Sequence, residues 1–137
     1  MKFNEHGHFS IQNNGAHLII DATGPFNLQV MNSFQRSLVA HTQDLSKKSW
    51  GQIIIMNGTS IFTPEAEQHL CETLVTRQKH GLFFSAVVHC HAQYKHLIEH
   101  QLSKCYQQYA IRHAFFDDIK TAKTYLKQLN MPHKTRN

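Results

Sequence analysis

The sequence predicts an α/β domain on a mixed β-sheet, opening with an N-terminal antiparallel hairpin and continuing with alternating helices and mostly parallel strands, about five strands and four helices in all. Three observations carry that prediction. Asn13-Asn14-Gly15 separates two short apolar-patterned runs, and Asn-Gly suits the positive-φ positions of a tight hairpin turn. Residues 52–56 and 82–88 show no polar alternation, which is how strands buried on both faces read. The segments beside them repeat apolar residues at helical spacing, and strands joined by helical crossovers favour parallel pairing along a right-handed path.

Each element has its own local reason. Residues 8–12 alternate, with Phe9 and Ile11 on one side, and 18–20 form the second strand. Gly24-Pro25 ends that strand, and Asn27 offers a capping side chain to a helix whose inner stripe is Leu28, Met31, Phe34 or Gln35, and Leu38. Gln29, Asn32, Arg36 and Gln43 mark its outer face, and the polar 44–51 segment ends it before the 52–56 strand. Thr63 is the predicted N-cap of the next helix, Pro64 its first residue, and Glu65 and Glu67 suit the positive end of its dipole. Ala66, Leu70 and Leu74 supply the inner stripe, with Cys71 and Val75 beside it. Arg77, Lys79 and His80 suit the negative end, and Gly81 stops the helix.

After the 82–88 strand, Tyr94, Leu97, Ile98, Leu102 and Cys105 or Tyr106 space a third helix over 93–108. A short edge strand over 110–116 follows. Asp117 or Asp118 then caps a last helix, with Ile119, Ala122, Leu126 and Leu129 inward and its lysines outward. The element order is ββαβαβαβα.

The 137 residues, 41% hydrophobic, suit one domain over 1–137, with a core of about 8–130 and a frayed tail over 131–137. The longest apolar stretches fall far short of the roughly 20 residues that span a bilayer. The N-terminus also lacks the apolar core of a signal peptide, so the expected location is cytoplasmic. Cys71, Cys90 and Cys105 form an odd set without paired spacing, which predicts reduced thiols. Much of the net charge of +5 lies on Lys120, Lys123, Lys127, Lys134 and Arg136, as expected of a solvated helix face and polar tail. No nucleic-acid partner is expected from charge alone.

With "IIIMNGTSIFTPEAEQHL" in the middle and "FFDDIKTAKTYL" at the end, the chain resembles the STAS domain of anti-sigma-factor antagonists, the SpoIIAA-like family, from about residue 8 to residue 129. The resemblance implies that fold and a regulatory role through protein contacts. In the family a buried strand leads into a loop of the type Leu-Ser-Gly-Val-x-Phe-Ile-Asp-Ser-Ser-Gly, where the serine after the aspartate takes phosphate from a partner kinase. Laid on this chain, Asn57-Gly58 fall at the Ser-Gly pair and Ile61-Phe62 at the apolar pair. Thr63 falls at the aspartate, Pro64 at the acceptor serine, Glu65 at the next serine and Ala66 at the glycine. The acceptor hydroxyl is therefore missing. Ser60 and Thr63 are the nearest substitutes, and a phosphate in that first turn would meet Glu65 and Glu67.

The expected function is accordingly a non-enzymatic STAS-like regulatory or interaction domain without the serine phospho-switch, which docks a protein or a copy of itself and needs no cofactor. The docking surface follows as Asn57, Gly58, Thr59, Ser60, Thr63, Glu65, Glu67, Gln68 and Glu72. An alternative comes from SpoIIAA-like domains likened to lipid-carrying Sec14 proteins. In that case Phe26 and Trp50 would line the lip of an apolar pocket for a lipid or other small molecule.

A metal site is the remaining candidate: His96 and His100 are one helical turn apart, and His89 or His91 at a strand end would reach them. Solvated surface histidines are the simpler account of the same residues; histidines that tune an interface with pH are a separate alternative, which nothing in the spacing demands. Cys90 is not activated by its neighbours, because in a strand His89 and His91 point away from it. No P-loop, dinucleotide-binding fingerprint or converging carboxylate pair is present, so no enzyme activity is expected.

Overall fold

The computed structural model describes residues 7–14, 17–43, 45 and 49–129. In chain order these form β1 (His8–Asn13), β2 (His17–Thr23), α1 (Leu28–Thr42), β3 (Trp50–Gly58), α2 (Pro64–Lys79), β4 (Leu82–Ala92), α3 (Lys95–Gln108), β5 (Arg112–Phe116) and α4 (Ile119–Gln128). The predicted order and the mixed sheet are both present. The five strands lie in the order β1-β2-β3-β4-β5, the first pair antiparallel and the other three pairs parallel.

Because strand order follows chain order, three successive right-handed crossovers pass over one face of the sheet. The larger core lies there, joining Leu18 and Ile20 of β2 and Ile54 and Met56 of β3 to Phe34, Leu38, Leu70, Leu74, Ile98 and Leu102 from α1, α2 and α3. α4 covers the other face alone, setting Ala122 and Leu126 against Ile53, Ile55, Phe84, Ala86 and Val88. β3 and β4 are thus buried on both sides, which accounts for their unbroken apolar runs. β1 lies beyond the reach of α4 and keeps its alternation. Phe9 packs edge-on against Phe34 at 5.1 Å, while His8, Ser10 and Gln12 face outward and are exposed.

The local signals act as the sequence suggests at three helix starts. The Asn27 side chain accepts from Val30 N at 2.9 Å, Thr63 Oγ1 from Ala66 N at 3.2 Å, and Asp118 Oδ1 from Thr121 N at 2.7 Å. Of the two aspartates before α4, Asp118 is therefore the cap, and its hydrogen bonding with Thr121 holds its carboxyl below the usual range. Replacing Thr63 by Ala should lower stability by ~1 kcal/mol, read by urea unfolding; an unchanged midpoint would mean that Pro64 alone sets this helix start.

Other expectations need correction. Asn14 N still donates to His17 O at 3.1 Å, and Asn14 Oδ1 accepts from His17 N at 2.9 Å. Asn14-Gly15 are therefore not the two central turn residues, and positions 15 and 16 lie outside the described residues. The 131–137 tail also lies outside them. The expectation of reduced thiols fails at one pair: Cys71 of α2 is joined to Cys105 of α3, with Cα atoms 5.1 Å apart. Helix packing brings together two cysteines that are 34 residues apart in sequence, so spacing gave no sign of it. Cys90 is free and half-buried. Among the described residues, no helix is long and apolar enough to cross a membrane.

Candidate functional site

The parallel strands β2, β3 and β4 end on one edge of the sheet, where Thr23 pairs with Asn57 and Gly58 with Ala92. This carboxyl edge is where open α/β sheets present their loops to ligands and partners. The loops here are tied to one another. Phe26 N donates to Ile61 O and Thr63 N to Phe26 O, both at 3.0 Å. Gln93 N reaches Gly58 O at 2.8 Å, and Thr59 Oγ1 donates to Gln93 Oε1 at 2.7 Å. Gly58 sits at φ 64°, in the left-handed region that glycine enters most easily.

The predicted docking residues separate into three groups in this frame. Asn57 is spent on Asp21 Oδ1 at 2.7 Å, and Ser60 is fully buried, donating to Asn57 O at 2.6 Å. Thr63 is exposed, but its oxygen caps α2. Glu65, Gln68 and Glu72 are exposed along α2, Gln68 lying 3.4 Å from Glu72. Glu67 instead turns toward α3, where it pairs with Lys104 at 2.8 Å and accepts from Gln101 at 3.3 Å. Glu67 thus belongs to the α2–α3 seam, beside a shallow groove of about 420 Å³ that Cys71 and Tyr109 also line.

The histidines do not gather. β4 runs on to Ala92, so His89 points under α3, buried, with Nε2 bonded to Glu99 Oε2 at 2.5 Å and its ring stacked on Phe115. His91, His96 and His100 are exposed. Among the described residues, no three His, Cys, Asp or Glu side chains are placed to hold a metal ion. The four-histidine site is corrected on this ground: α3 turns Glu99 toward His89 and leaves His96 and His100 in solvent. Cys90 packs on the α4 side of the sheet, away from His89, as strand alternation requires.

The proposed lip of Phe26 and Trp50 is not formed. Trp50 opens β3 and Phe26 follows the end of β2, so about seven residues of parallel strand, roughly 23 Å, separate them. Trp50 is fully buried with Nε1 donating to His80 O at 2.9 Å, and Phe26 is stacked on Phe62 at 4.8 Å. The apolar cavity beside Phe26, lined also by Phe9, Phe34, Met56 and Phe62, holds about 40 Å³. Sites for drug-sized ligands measure roughly 300–1,000 Å³.

A buried polar chain escaped the sequence reading. Arg77, read from the sequence only as a complement to the helix dipole, is 2% exposed. Its Nη1 donates to Gln52 Oε1 at 2.8 Å, Nη2 to Thr73 Oγ1 at 3.0 Å and Nε to Thr73 O at 3.3 Å. Gln52 Nε2 passes on to Ser85 Oγ at 3.0 Å, which meets the Tyr106 hydroxyl at 2.7 Å. Burial draws the guanidinium down to about 10, against the opposing influence of Tyr106, and pushes the Tyr106 phenol up. At neutral pH the arginine is therefore charged and the tyrosine neutral. The signal was present in the spacing of Leu70, Thr73, Leu74 and Arg77, which places the arginine on the inner stripe of α2.

No protein-family model matches the chain, and no curated protein matches it. A solved structure does. The chain superposes on the crystal structure of an uncharacterized protein of the DUF3478 family with a SpoIIAA-like fold from Shewanella loihica PV-4, with a TM-score of 0.68 over 92% of this chain and 98% of that one. The fold is SpoIIAA-like. At 15% identity the likeness carries the architecture and nothing finer. The SpoIIAA-like sheet accounts for the antiparallel hairpin on one edge and for the loop rim at the carboxyl ends of β2, β3 and β4.

Proposed function

We propose that this SpoIIAA-like domain is a non-enzymatic interaction module that docks a protein partner through the rim at residues 57–63 and the exposed acidic face of α2. It works without the phospho-switch of the family it resembles. The observation that supports this reading is how the rim hydroxyls are used. Ser60 is buried and donates to Asn57 O, Thr63 caps α2, and Pro64 occupies the position of the family's acceptor serine. What the surface offers a partner is carboxylate and amide, on Glu65, Gln68 and Glu72.

The test is a pull-down from the native host with the Glu65→Lys, Glu72→Lys double variant. Partner recovery is expected to fall about tenfold, as when complementary charges at an interface are reversed, with thermal unfolding unchanged. Unchanged recovery would remove this surface from consideration. Intact mass of host-purified protein checks the switch separately: an added phosphate on Ser60 or Thr63 would restore phosphorylation control.

A further inference from the structure

We propose that the cleft between α1 and α2 binds a small apolar carboxylate, whose charge is met by the buried guanidinium of Arg77. The inference is independent of the docking surface on the outer face of α2. Among the described residues no carboxylate pairs with Arg77; its three hydrogen bonds go to the neutral acceptors on Gln52 and Thr73. A guanidinium carries five N–H donors, so one remains on each terminal nitrogen. A cation taken out of water without a counter-charge is costly, and natural proteins seldom keep one unless it is paired.

The cleft beside it supplies both space and a second unmet polar group. It encloses about 350 Å³ between the helices and is walled by Gln35, Leu38 and Val39 of α1, by Thr73 and Thr76 of α2 and by His80 just after α2. Among the described residues, none of its lining side chains is a carboxylate. Gln35 Oε1 is buried there with no hydrogen-bond partner, and its amide turned over would present two N–H donors to an anion. A carboxylate fits this arrangement better than a phosphate dianion. It carries one charge against one, and its two coplanar oxygens match the two remaining guanidinium donors. Leu38 and Val39 make the walls beside that head group apolar, which favours an aromatic or short aliphatic body.

The test titrates the full chain with sodium benzoate, with benzamide as the neutral isostere and inorganic phosphate as the second anion. Saturating benzoate is expected to raise Tm by about 5 °C and to shift the Arg77 Nε–Hε resonance, while benzamide and phosphate do neither. Thr76→Glu, at an exposed position on the cleft wall, places a carboxylate beside Arg77 and is expected to weaken benzoate by at least ~10-fold. A benzoate response no larger than that to benzamide overturns the proposal. So does a response to phosphate alone, or full retention of the benzoate response in Thr76→Glu.

Discussion

Gly24→Ala is expected to cost the domain about 3 kcal/mol or more and to lower Tm by roughly 10 °C. The reason is space. A Cβ on Gly24 would fall inside contact distance of Thr59 O, 2.8 Å from Ser60 Cα and 2.9 Å from Thr59 C. These are backbone atoms of a loop held by the Ser60–Asn57, Gln93–Gly58 and Thr59–Gln93 hydrogen bonds, so no side chain can swing aside. Relief requires the rim to shift as a unit, which disturbs the stacking of Phe26 on Phe62 at the base of the proposed docking surface. Gly58→Ala is the control. Gly58 sits at φ 64°, but a Cβ there would meet Thr23 Cγ2 at 3.5 Å, an ordinary contact, so only the conformational cost of ~1–2 kcal/mol is expected. Thermal and urea unfolding of both variants decide the matter. A Gly24→Ala protein within about 2 °C of the parent Tm would show that the two loops part at little cost.

That rim also shows what was legible in the sequence. Capping and stop signals are local, so Asn27, Thr63 and Asp118 could be placed from their neighbours, and each bonds the amide three residues on. The doubly buried strands were legible because α4 and the three crossover helices cover both faces of β3 and β4. The hairpin itself was legible, but Asn-Gly marks a turn without fixing its register, and Asn14 is bonded to His17 at the end of the ladder. What stayed hidden depends on packing between distant elements. His89 and Glu99 meet because β4 continues four residues, His89 to Ala92, past its apolar run before α3 begins. Gln52 stands at the head of an apolar strand, and its role becomes clear only when Arg77 and Ser85 are brought to either side of it. Arg77 itself was readable on the helical period but was assigned by its charge. A rule about dipole ends took precedence over one about faces.

Breaking the Cys71–Cys105 bridge is the other large expected effect. The cross-link closes a loop of 34 residues, for which restriction of the unfolded chain predicts ~3–4 kcal/mol of stabilisation. For a domain of this size that corresponds to a fall in Tm of about 10–15 °C. Cys105 is fully buried and Cys71 half-buried, so a reductant reaches the bridge from the α2 side and Cys71→Ala is the gentler cut. Reduction of the parent should reproduce the Tm of Cys71→Ala and leave that variant unmoved. Intact mass should show two added hydrogens on reduction of the parent alone. Identical Tm with and without reductant would mean that Leu70, Leu74, Ile98 and Leu102 hold α2 to α3 unaided. The bridge lies in the groove beside Glu67 and Gln68, where α2 meets α3 through the Glu67–Lys104 pair. Loosening it should therefore move the docking face together with the core. A partner that binds the oxidised chain should lose affinity on reduction in proportion to that movement, whereas the Glu65→Lys, Glu72→Lys variant should lose it with the bridge intact.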